Sequence, residues 1–151
     1  MHDTSTLIGP YGGELIDLVA RPDERAELFE YAARLGSIQL TQRQTCDLEL
    51  LANGGFSPLK TFMSKADVSR VVEEMRLADG TVFPIPVTLS VDELGGMAPG
   101  VDVALRDSKN ELLAVLSIEE IYEWDANAAA VSVLGTGDPR HPLVSEMRRW
   151  G

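Results

Sequence analysis

The sequence predicts an α+β fold in which helices come first and an antiparallel or mixed sheet, curled toward a barrel, follows. Two observations carry this prediction. Apolar side chains recur at helical spacing between residues 22 and 75, whereas from residue 83 onward they alternate with polar ones. The alternating segments are joined by short turns and no βαβ unit repeats, so the sheet is not expected to be a purely parallel one.

A short strand and a helix are predicted near the start of the chain. Residues 14–19 alternate loosely enough to suggest only a short strand. Pro22 suits the first position of a helix, and Leu28, Ala32 and Leu35 share one helical face. Gly36 is expected to end that helix, and residues 37–40 are expected to form an extended link.

The second predicted helix organises the rest of the chain, because it stops abruptly at a pair of glycines. Thr41 is its expected N-cap, and its apolar stripe predicts a mostly buried helix. Asn53, Gly54 and Gly55 tolerate the positive φ angles that a helix end requires, and Pro58 prevents the helix from resuming. Phosphate-binding glycines precede a helix, so this pair predicts a helix stop and not a phosphate cradle.

The third predicted helix is the most regular. Ser64 and Asp67 have capping-box spacing at its start. The apolar residues that follow lie at the i, i+3, i+4 and i+7 positions: Val68, Val71, Val72 and Met75. We therefore expect one buried face on this helix, ending before the turn at residues 78–80.

Three strands and two helices are predicted after that turn. Residues 83–91 alternate but contain two prolines, which predicts a strand at an edge or one that pairs only on the side away from the missing amides. Residues 101–106 and 112–118 follow, joined by a hairpin-type turn, and the second is apolar on both faces, as in a central strand. Asp125 is a possible cap for a short helix that ends at Leu134. The last helix, 142–150, places Leu143, Met147 and Trp150 on one face, and its unfinished end predicts a missing continuation.

The composition favours a cytoplasmic protein that binds neither nucleic acid nor membrane. Asp and Glu outnumber Lys and Arg by 24 to 13 in the 151 residues, giving a formal net charge of −11. Nucleic-acid binding draws most of its affinity from basic side chains, so this class is disfavoured. No apolar run has the length of a membrane span, no secretion signal is seen, and a single cysteine allows no internal disulfide.

No catalytic, cofactor-binding or metal-binding residue can be assigned from the residue types alone. Asp47 and Glu49 are two apart on a helix and should point to different sides. Cys46 is expected to be buried packing, and His2 and His141 do not make a metal site or a triad. An acidic cluster surrounds Tyr122 and Trp124, and we interpret it as a solvated edge: Glu119, Glu120, Glu123 and Asp125.

Several motifs, in order and at consistent separations, closely resemble the N-terminal domain of ATP sulfurylase (sulfate adenylyltransferase). The similarity covers nearly the whole chain. It is carried by residues 47–51, 54–59, 62–63, 75–80, 83–89, 114–116, 119–122 and 135–142. Tyr11 stands where many relatives have histidine, and Gly137 stands where threonine is common. These two departures put local contacts in doubt and leave the family resemblance intact.

The resemblance implies a PUA-like domain, a small curled sheet or pseudo-barrel with peripheral helices. The family reaction is attack of sulfate on the α-phosphorus of ATP, with magnesium, to give adenosine 5′-phosphosulfate and pyrophosphate. The family places its Gln-x-Arg-Asn and His-x-x-His segments in a following nucleotidyltransferase domain, and neither segment is present here. The resemblance therefore transfers no catalytic or nucleotide-binding residue to this chain, and ATP and magnesium are implied only for the complete enzyme.

Residues 1–151 are accordingly predicted to be one PUA-like domain that supports a catalytic nucleotidyltransferase domain in sulfate activation. That catalytic domain is absent from these residues and is expected in the same or a separate chain, and a homo-oligomer is possible. Whether the chain alone is an enzyme stays open. The alternative is a stand-alone PUA-like module that binds RNA or regulates a separately encoded catalytic chain; fold analogy alone gives it weak support.

Overall fold

The computed structural model describes residues 8–148 and has an α+β architecture, as the sequence predicts. Within those residues it contains five helices and three strands. In chain order they are α1 (Arg25–Ala32), β1 (Gly36–Gln39), α2 (Gln42–Ala52), α3 (Lys65–Glu74), β2 (Asp102–Arg106), β3 (Leu112–Ser117), α4 (Ala126–Leu134) and α5 (Pro142–Met147).

The three strands form one mixed sheet in the order β1-β2-β3. Gly36 in β1 lies opposite Val103 in the parallel β2, and β2 pairs antiparallel with β3 through a register shift between Leu105 and Arg106. The sheet is open, so the part of the chain from 8 to 148 contains a mixed sheet but no closed barrel. Helices lie around it, as predicted.

The positions of the strands in the sheet differ from the prediction. The expected central strand is the edge strand β3, whereas β2 is central and buries Val103, Ala104 and Leu105. The expected link at 37–40 is mostly the strand β1. Ile38 is the one apolar residue among its four, so the pattern is too short to indicate a strand, and pairing with β2 makes it one.

The buried side chains form three clusters. The first joins α2 and α3 to the segments that follow them: Leu51, Leu59, Met63, Val68, Val71, Leu77, Phe83 and Val87. The second covers the sheet: Ile38, Leu40, Val103, Leu105 and Ile118. The third lies between α4 and α5: Ala129, Ala130, Val144 and Met147. The second helix is therefore shared, because its Leu51 belongs to the first cluster while Leu48 packs against the second.

Three predicted helix caps are confirmed. Thr41 and Gln44 form a complete capping box at the start of α2. The Ser64 hydroxyl accepts from the Asp67 amide at 3.2 Å at the start of α3, and Asp125 accepts from two amides at the start of α4. Capping depends on neighbours in sequence, which is why these boundaries were predictable. None of the helices within residues 8–148 is long and apolar enough to cross a membrane.

Two predicted apolar faces are wrong in part. Helix α1 begins at Arg25, three residues after Pro22, and buries only Ala32, while Leu28 is exposed. Helix α5 buries Val144 and Met147, while Leu143 is exposed. Both helices pack through a narrow stripe of their surface, which the sequence spacing alone does not locate. Trp150, the third residue of the predicted α5 face, lies outside the described residues.

Met75 also differs from its predicted place on α3. It is the C-cap residue with φ of 55° and is exposed, whereas Val68 and Val71 are buried as expected. The left-handed conformation turns the chain toward residues 78–80, where the predicted turn is present. The helix therefore ends one residue before its apolar pattern does.

Neither of the predicted strands at 14–19 and 83–91 forms. In the first, the Leu18 amide donates to the Ala52 carbonyl of α2 and not to a strand. In the second, an isolated bridge between Arg76 and Val82 is the nearest pairing, and Pro84 and Pro86 provide no donors. The Val87 carbonyl accepts from the Met63 amide and the Ser90 carbonyl from the Gln44 side chain, so both bond to groups outside any strand.

The glycine pair after α2 has a second role besides ending the helix. Gly54 has φ of +83°, and a Cβ atom there would lie 2.4 Å from the Ile16 carbonyl oxygen. Beside it, the Ser57 hydroxyl donates to the Gly54 carbonyl at 2.7 Å and accepts from the Ile16 amide at 3.0 Å. We call Gly54 and Ser57 the clasp and residues 8–19 the strap, because the clasp holds the strap against α2.

Candidate functional site

An open groove of about 1070 Å³ lies between three segments: 58–64, 88–91 and 116–124. Its walls include apolar side chains from each segment, among them Phe62, Leu89 and Ile118. We refer to it as the groove. A concave surface with an apolar floor and a few polar groups is the usual form of a binding site.

Met63 fixes one side of the groove. Its amide donates to the Val87 carbonyl at 2.9 Å, and its carbonyl accepts the Tyr122 hydroxyl at 2.7 Å. Burial raises the pKa of Tyr122 to about 12, and the nearby carboxylates of Glu120 and Asp67 act in the same direction. The phenol is therefore protonated at neutral pH and serves as a donor to the backbone.

Carboxylates dominate the charge of the groove. Five acidic residues line it, and Lys60 is its single basic lining residue. The acidic residues are Asp67, Asp79, Glu119, Glu120 and Glu123. Sulfate and the phosphates of ATP are bound by cations and amide donors, so this donor set does not fit either anion. Residues 8–148 also contain no group of three His, Cys, Asp or Glu side chains placed to hold a metal ion.

Two members of the predicted acidic cluster support the backbone. Glu120 accepts from the Lys65 amide at 3.0 Å, at the start of α3, where the helix dipole favours a negative charge. Asp125 accepts from the Asn127 and Ala128 amides at 3.0 Å each. Glu119 and Glu123 are exposed. The cluster is thus a solvated edge with capping roles.

The pair Asp47 and Glu49 diverges as expected. Glu49 is exposed, whereas the Asp47 side chain is only 14% exposed and its Oδ2 atom lies 3.3 Å from Arg43 Nη2. Burial raises the pKa of Asp47, and the Arg43 charge opposes that shift without cancelling it. The buried Oδ2 atom accepts no hydrogen bond from residues 8–148.

The expectation that Cys46 is buried is wrong. Gln44, Leu48 and Leu51 form the inward face of α2. Cys46 lies two positions after Gln44 and therefore points away from that face, so its thiol is exposed. Cys46 and Arg43 line a second, smaller groove of about 740 Å³ beside β1. The predicted mostly buried α2 is accordingly half-exposed.

His141 lies at the start of α5 and belongs to no metal-binding group of three His, Cys, Asp or Glu side chains in the described chain. It is the N-cap residue of α5, its amide donates to the Asp138 carbonyl at 2.9 Å, and its buried Nδ1 atom has no hydrogen-bond partner in the described chain. His2 lies outside the described residues. Asp138 forms a bidentate pair with Arg140 in the preceding turn, which keeps this loop compact.

The two positions that depart from the resembled family both make structural contacts. The Tyr11 hydroxyl donates to the Val82 carbonyl at 2.7 Å and so joins the strap to residues 81–83. At Gly137, a Cβ atom would lie 3.2 Å from a Val131 methyl group, and its carbonyl accepts from Arg148 at 3.4 Å. Neither position lines the groove.

A family model described as a PUA-like domain matches residues 8–151. This chain is a PUA-like domain. The match covers all the described residues and agrees with the α+β architecture.

Curated relatives of this PUA-like domain carry one name. The chain is 50% identical over 141 residues to the sulfate adenylyltransferase of Emericella nidulans, with 89% of the chain and 24% of the relative covered. It is 41% identical to that of Symbiobacterium thermophilum, covering 97% of the chain and 38% of the relative. The identity to the Nostoc punctiforme relative is 40%, with 100% of the chain and 39% of the relative covered. The resemblance noted in the sequence is confirmed, and the chain spans about a quarter to two fifths of these relatives.

A solved structure also resembles this PUA-like domain. It is a hexameric APS kinase from Thiobacillus denitrificans, with a TM-score of 0.71 and 39% identity, covering 78% of this chain and 24% of that one. Here again the domain matches a minor part of a larger polypeptide.

Sequence reasoning did not find the groove. The acidic residues at 119–123 and the apolar residues Phe62 and Met63 were noted in the sequence. Nothing in the sequence indicated that these two groups line the same groove. The strap contacts were missed for a similar reason: Ile16 and Ser57 are 41 positions apart. A serine directly before Pro58 was the available signal, because a buried hydroxyl requires a partner.

Proposed function

We propose that this chain is the non-catalytic PUA-like domain of a sulfate adenylyltransferase, the enzyme that converts ATP and sulfate to adenosine 5′-phosphosulfate and pyrophosphate. The observation that carries the proposal is the identity of 40–50% to sulfate adenylyltransferases across 89–100% of the chain. The domain supports and orients a catalytic nucleotidyltransferase domain, in the same or a separate chain.

The charge of the groove supports a non-catalytic role. Stabilising the transferring adenylyl group requires cationic or amide donors around a strongly negative transition state at the α-phosphorus. Lys60 is the single cation on the groove lining, against five carboxylates. ATP and magnesium are therefore assigned to the catalytic domain of the complete enzyme, which we propose to be a cytoplasmic and oligomeric protein.

The proposal is tested by comparing two polypeptides. One is the 151-residue chain, and the other is a fusion of it to the remaining sequence of the Symbiobacterium thermophilum relative. Pyrophosphate release from ATP is measured with molybdate in place of sulfate, so that turnover continues and pyrophosphate accumulates. We expect release from the fusion and none from the chain alone, with thermal melting showing that both are folded.

Either part of the proposal can fail separately. Release by the chain alone would overturn the non-catalytic assignment. A folded but inactive fusion would overturn the role in sulfate activation. Fluorescence titration with single-stranded RNA at low salt serves as a control for the nucleic-acid alternative, which the net charge of −11 disfavours.

A further inference from the structure

The strap exposes an unusual number of large apolar side chains for a segment that is held in place. Five of its twelve residues are exposed large hydrophobic residues, and Ile16 is its one buried hydrophobic side chain. The five are Ile8, Tyr11, Leu15, Leu18 and Val19. Single exposed apolar residues need no explanation, but a contiguous group of them marks an interaction surface.

Contacts with neighbouring residues extend this surface. The Leu15 side chain lies against Gly54, where a Cβ atom would be 2.7 Å from Leu15 Cδ1. The exposed Leu50 lies against Gly55 in the same way, and the exposed Val82 accepts the Tyr11 hydrogen bond. Leu50 and Val82 thus add to the exposed apolar face of the strap, and Leu50 does so at the end of α2.

The strap is fixed at three points along its length. The Tyr11 hydroxyl donates to Val82, the Ile16 amide to Ser57, and the Leu18 amide to Ala52, at 2.7, 3.0 and 2.9 Å respectively. Holding a residue in one backbone conformation costs about 1 to 2 kcal/mol of conformational entropy. A segment that is ordered and yet buries so little is preorganised for a contact made elsewhere.

The charges select the partner. Glu14 and Asp17 are the charged residues of the strap, and both are exposed. A second copy of this chain would bring a like-charged strap and a further net charge of −11, which opposes self-association through this face. The partner surface is therefore apolar with Lys or Arg at its border.

The length of the relatives indicates where that surface is. The chain covers 24–39% of the sulfate adenylyltransferases that it matches, so most of each relative lies outside the matched region. We propose that the strap docks onto that remaining part of a sulfate adenylyltransferase, through an apolar patch bordered by basic residues. This inference rests on the proposed function and adds the face by which the domain is held.

The test is carbene footprinting, which labels exposed side chains, on the isolated chain and on the fusion described above. We expect labelling of residues 8–19 to fall at least about fivefold in the fusion, as for a surface that becomes an interface. Labelling of α1, whose Phe29 is also exposed, is expected to stay unchanged. Equal labelling of the strap in the two polypeptides would overturn the proposal, and so would protection of α1 in its place.

A matched pair of variants separates docking from folding. Leu15→Asp and Phe29→Asp alter residues of similar exposure, 61% and 57%. In the fusion, Leu15→Asp is expected to restore labelling of Leu18 and Val19 by at least about threefold, because a carboxylate is costly to bury in an apolar interface. Phe29→Asp should leave the strap as protected as in the parent fusion. An unchanged footprint with Leu15→Asp would contradict docking through this face.

The outcomes distinguish this inference from the proposed function. An active fusion with an unprotected strap would overturn the docking face alone. An inactive fusion with a protected strap would retain the docking face and overturn the role in sulfate activation. Loss of strap labelling in the isolated chain as its concentration rises would overturn the proposal in favour of a second copy as the partner.

Discussion

The strap and the groove both present apolar side chains to solvent, but they differ in what surrounds those side chains. The strap is held by hydrogen bonds from its backbone amides and from the Tyr11 hydroxyl. The groove is bordered by carboxylates, and two of them, Glu120 and Asp67, accept hydrogen bonds from backbone amides. The contrast separates two kinds of exposed surface. Acidic residues that cap helices define an edge of the fold, while uncharged residues held in place without burial define an interface.

The largest effect on stability is expected from a substitution that blocks the contact between the strap and Gly54. Gly54→Ala places a Cβ atom against the Ile16 carbonyl oxygen at a positive φ angle, and we expect a loss of about 3 kcal/mol or more in the free energy of unfolding. Gly80→Ala is the matched control, since its φ is +92° with no atom within 4 Å, and about 1 kcal/mol is expected. Urea unfolding measures both. Equal losses would show that the contact with Ile16 carries no energy.

A smaller effect on stability is expected from a substitution that removes hydrogen bonds to the strap without introducing a clash. Ser57→Ala removes the hydrogen bonds to Gly54 and from Ile16, both of them buried, at a cost of about 2 kcal/mol. The Ile16 amide should also exchange with deuterium faster than the Met63 amide of the groove. Ser69→Ala, at an exposed position of α3, is expected to change stability by less than about 0.5 kcal/mol. Uniform acceleration across both regions would mean that the strap does not open independently.

The groove side is tested by Tyr122→Phe. Loss of the hydrogen bond to the Met63 carbonyl should cost about 1 kcal/mol at neutral pH. The folded pKa of Tyr122, about 12, exceeds the ordinary value of 10.0, so its contribution is complete below pH 10 and is lost as the pH rises toward 12. Urea unfolding between pH 8 and 11 should therefore show a smaller alkaline loss for the variant than for the parent. An identical pH dependence would exclude Tyr122 as its source.

The smallest effect concerns α2, which contacts the strap and packs against two of the buried clusters. Asp47→Asn should stabilise the protein by about 0.5 to 1 kcal/mol at pH 7, because burial of the carboxylate outweighs its attraction to Arg43. The folded pKa is raised, so the cost is present above it and disappears as the pH falls below the ordinary value. Melting temperatures from pH 3.5 to 7 should converge at the acidic end. Destabilisation at pH 7 would show that the Arg43 pair dominates, and Glu49→Gln, at an exposed site, is the control.

The correct predictions concern features set by near neighbours in sequence. Thr41, Ser64 and Asp125 cap their helices through amides two or three residues away, so the spacing of residues was sufficient. The alternation at 83–91 was misleading for the opposite reason. A strand requires a partner, and two carbonyls of that segment instead accept hydrogen bonds from Met63 and Gln44, which no local pattern reveals.

The candidate surfaces were less predictable than the helices. The groove requires segments 58–64, 88–91 and 116–124 to converge, and the strap requires Ile16 to meet Ser57. The exposed position of Cys46 depended on which face of α2 packs inward, and the apolar stripe around it was too broad to decide. The family resemblance, in contrast, depended on motifs in order along the chain and required no knowledge of these contacts.

The parallel pairing of β1 with β2 has a consequence for how the domain acquires its structure. Gly36 and Val103 are neighbours in the sheet but are separated in sequence by α2, α3 and the extended segment that follows α3. A ribosome must therefore synthesise the chain beyond Arg106 before β1 finds its partner, while α2 and α3 form from local contacts well before. Closing so long a loop makes sheet formation the slow step, and until then Ile38, the apolar side chain of β1, is open to chaperones.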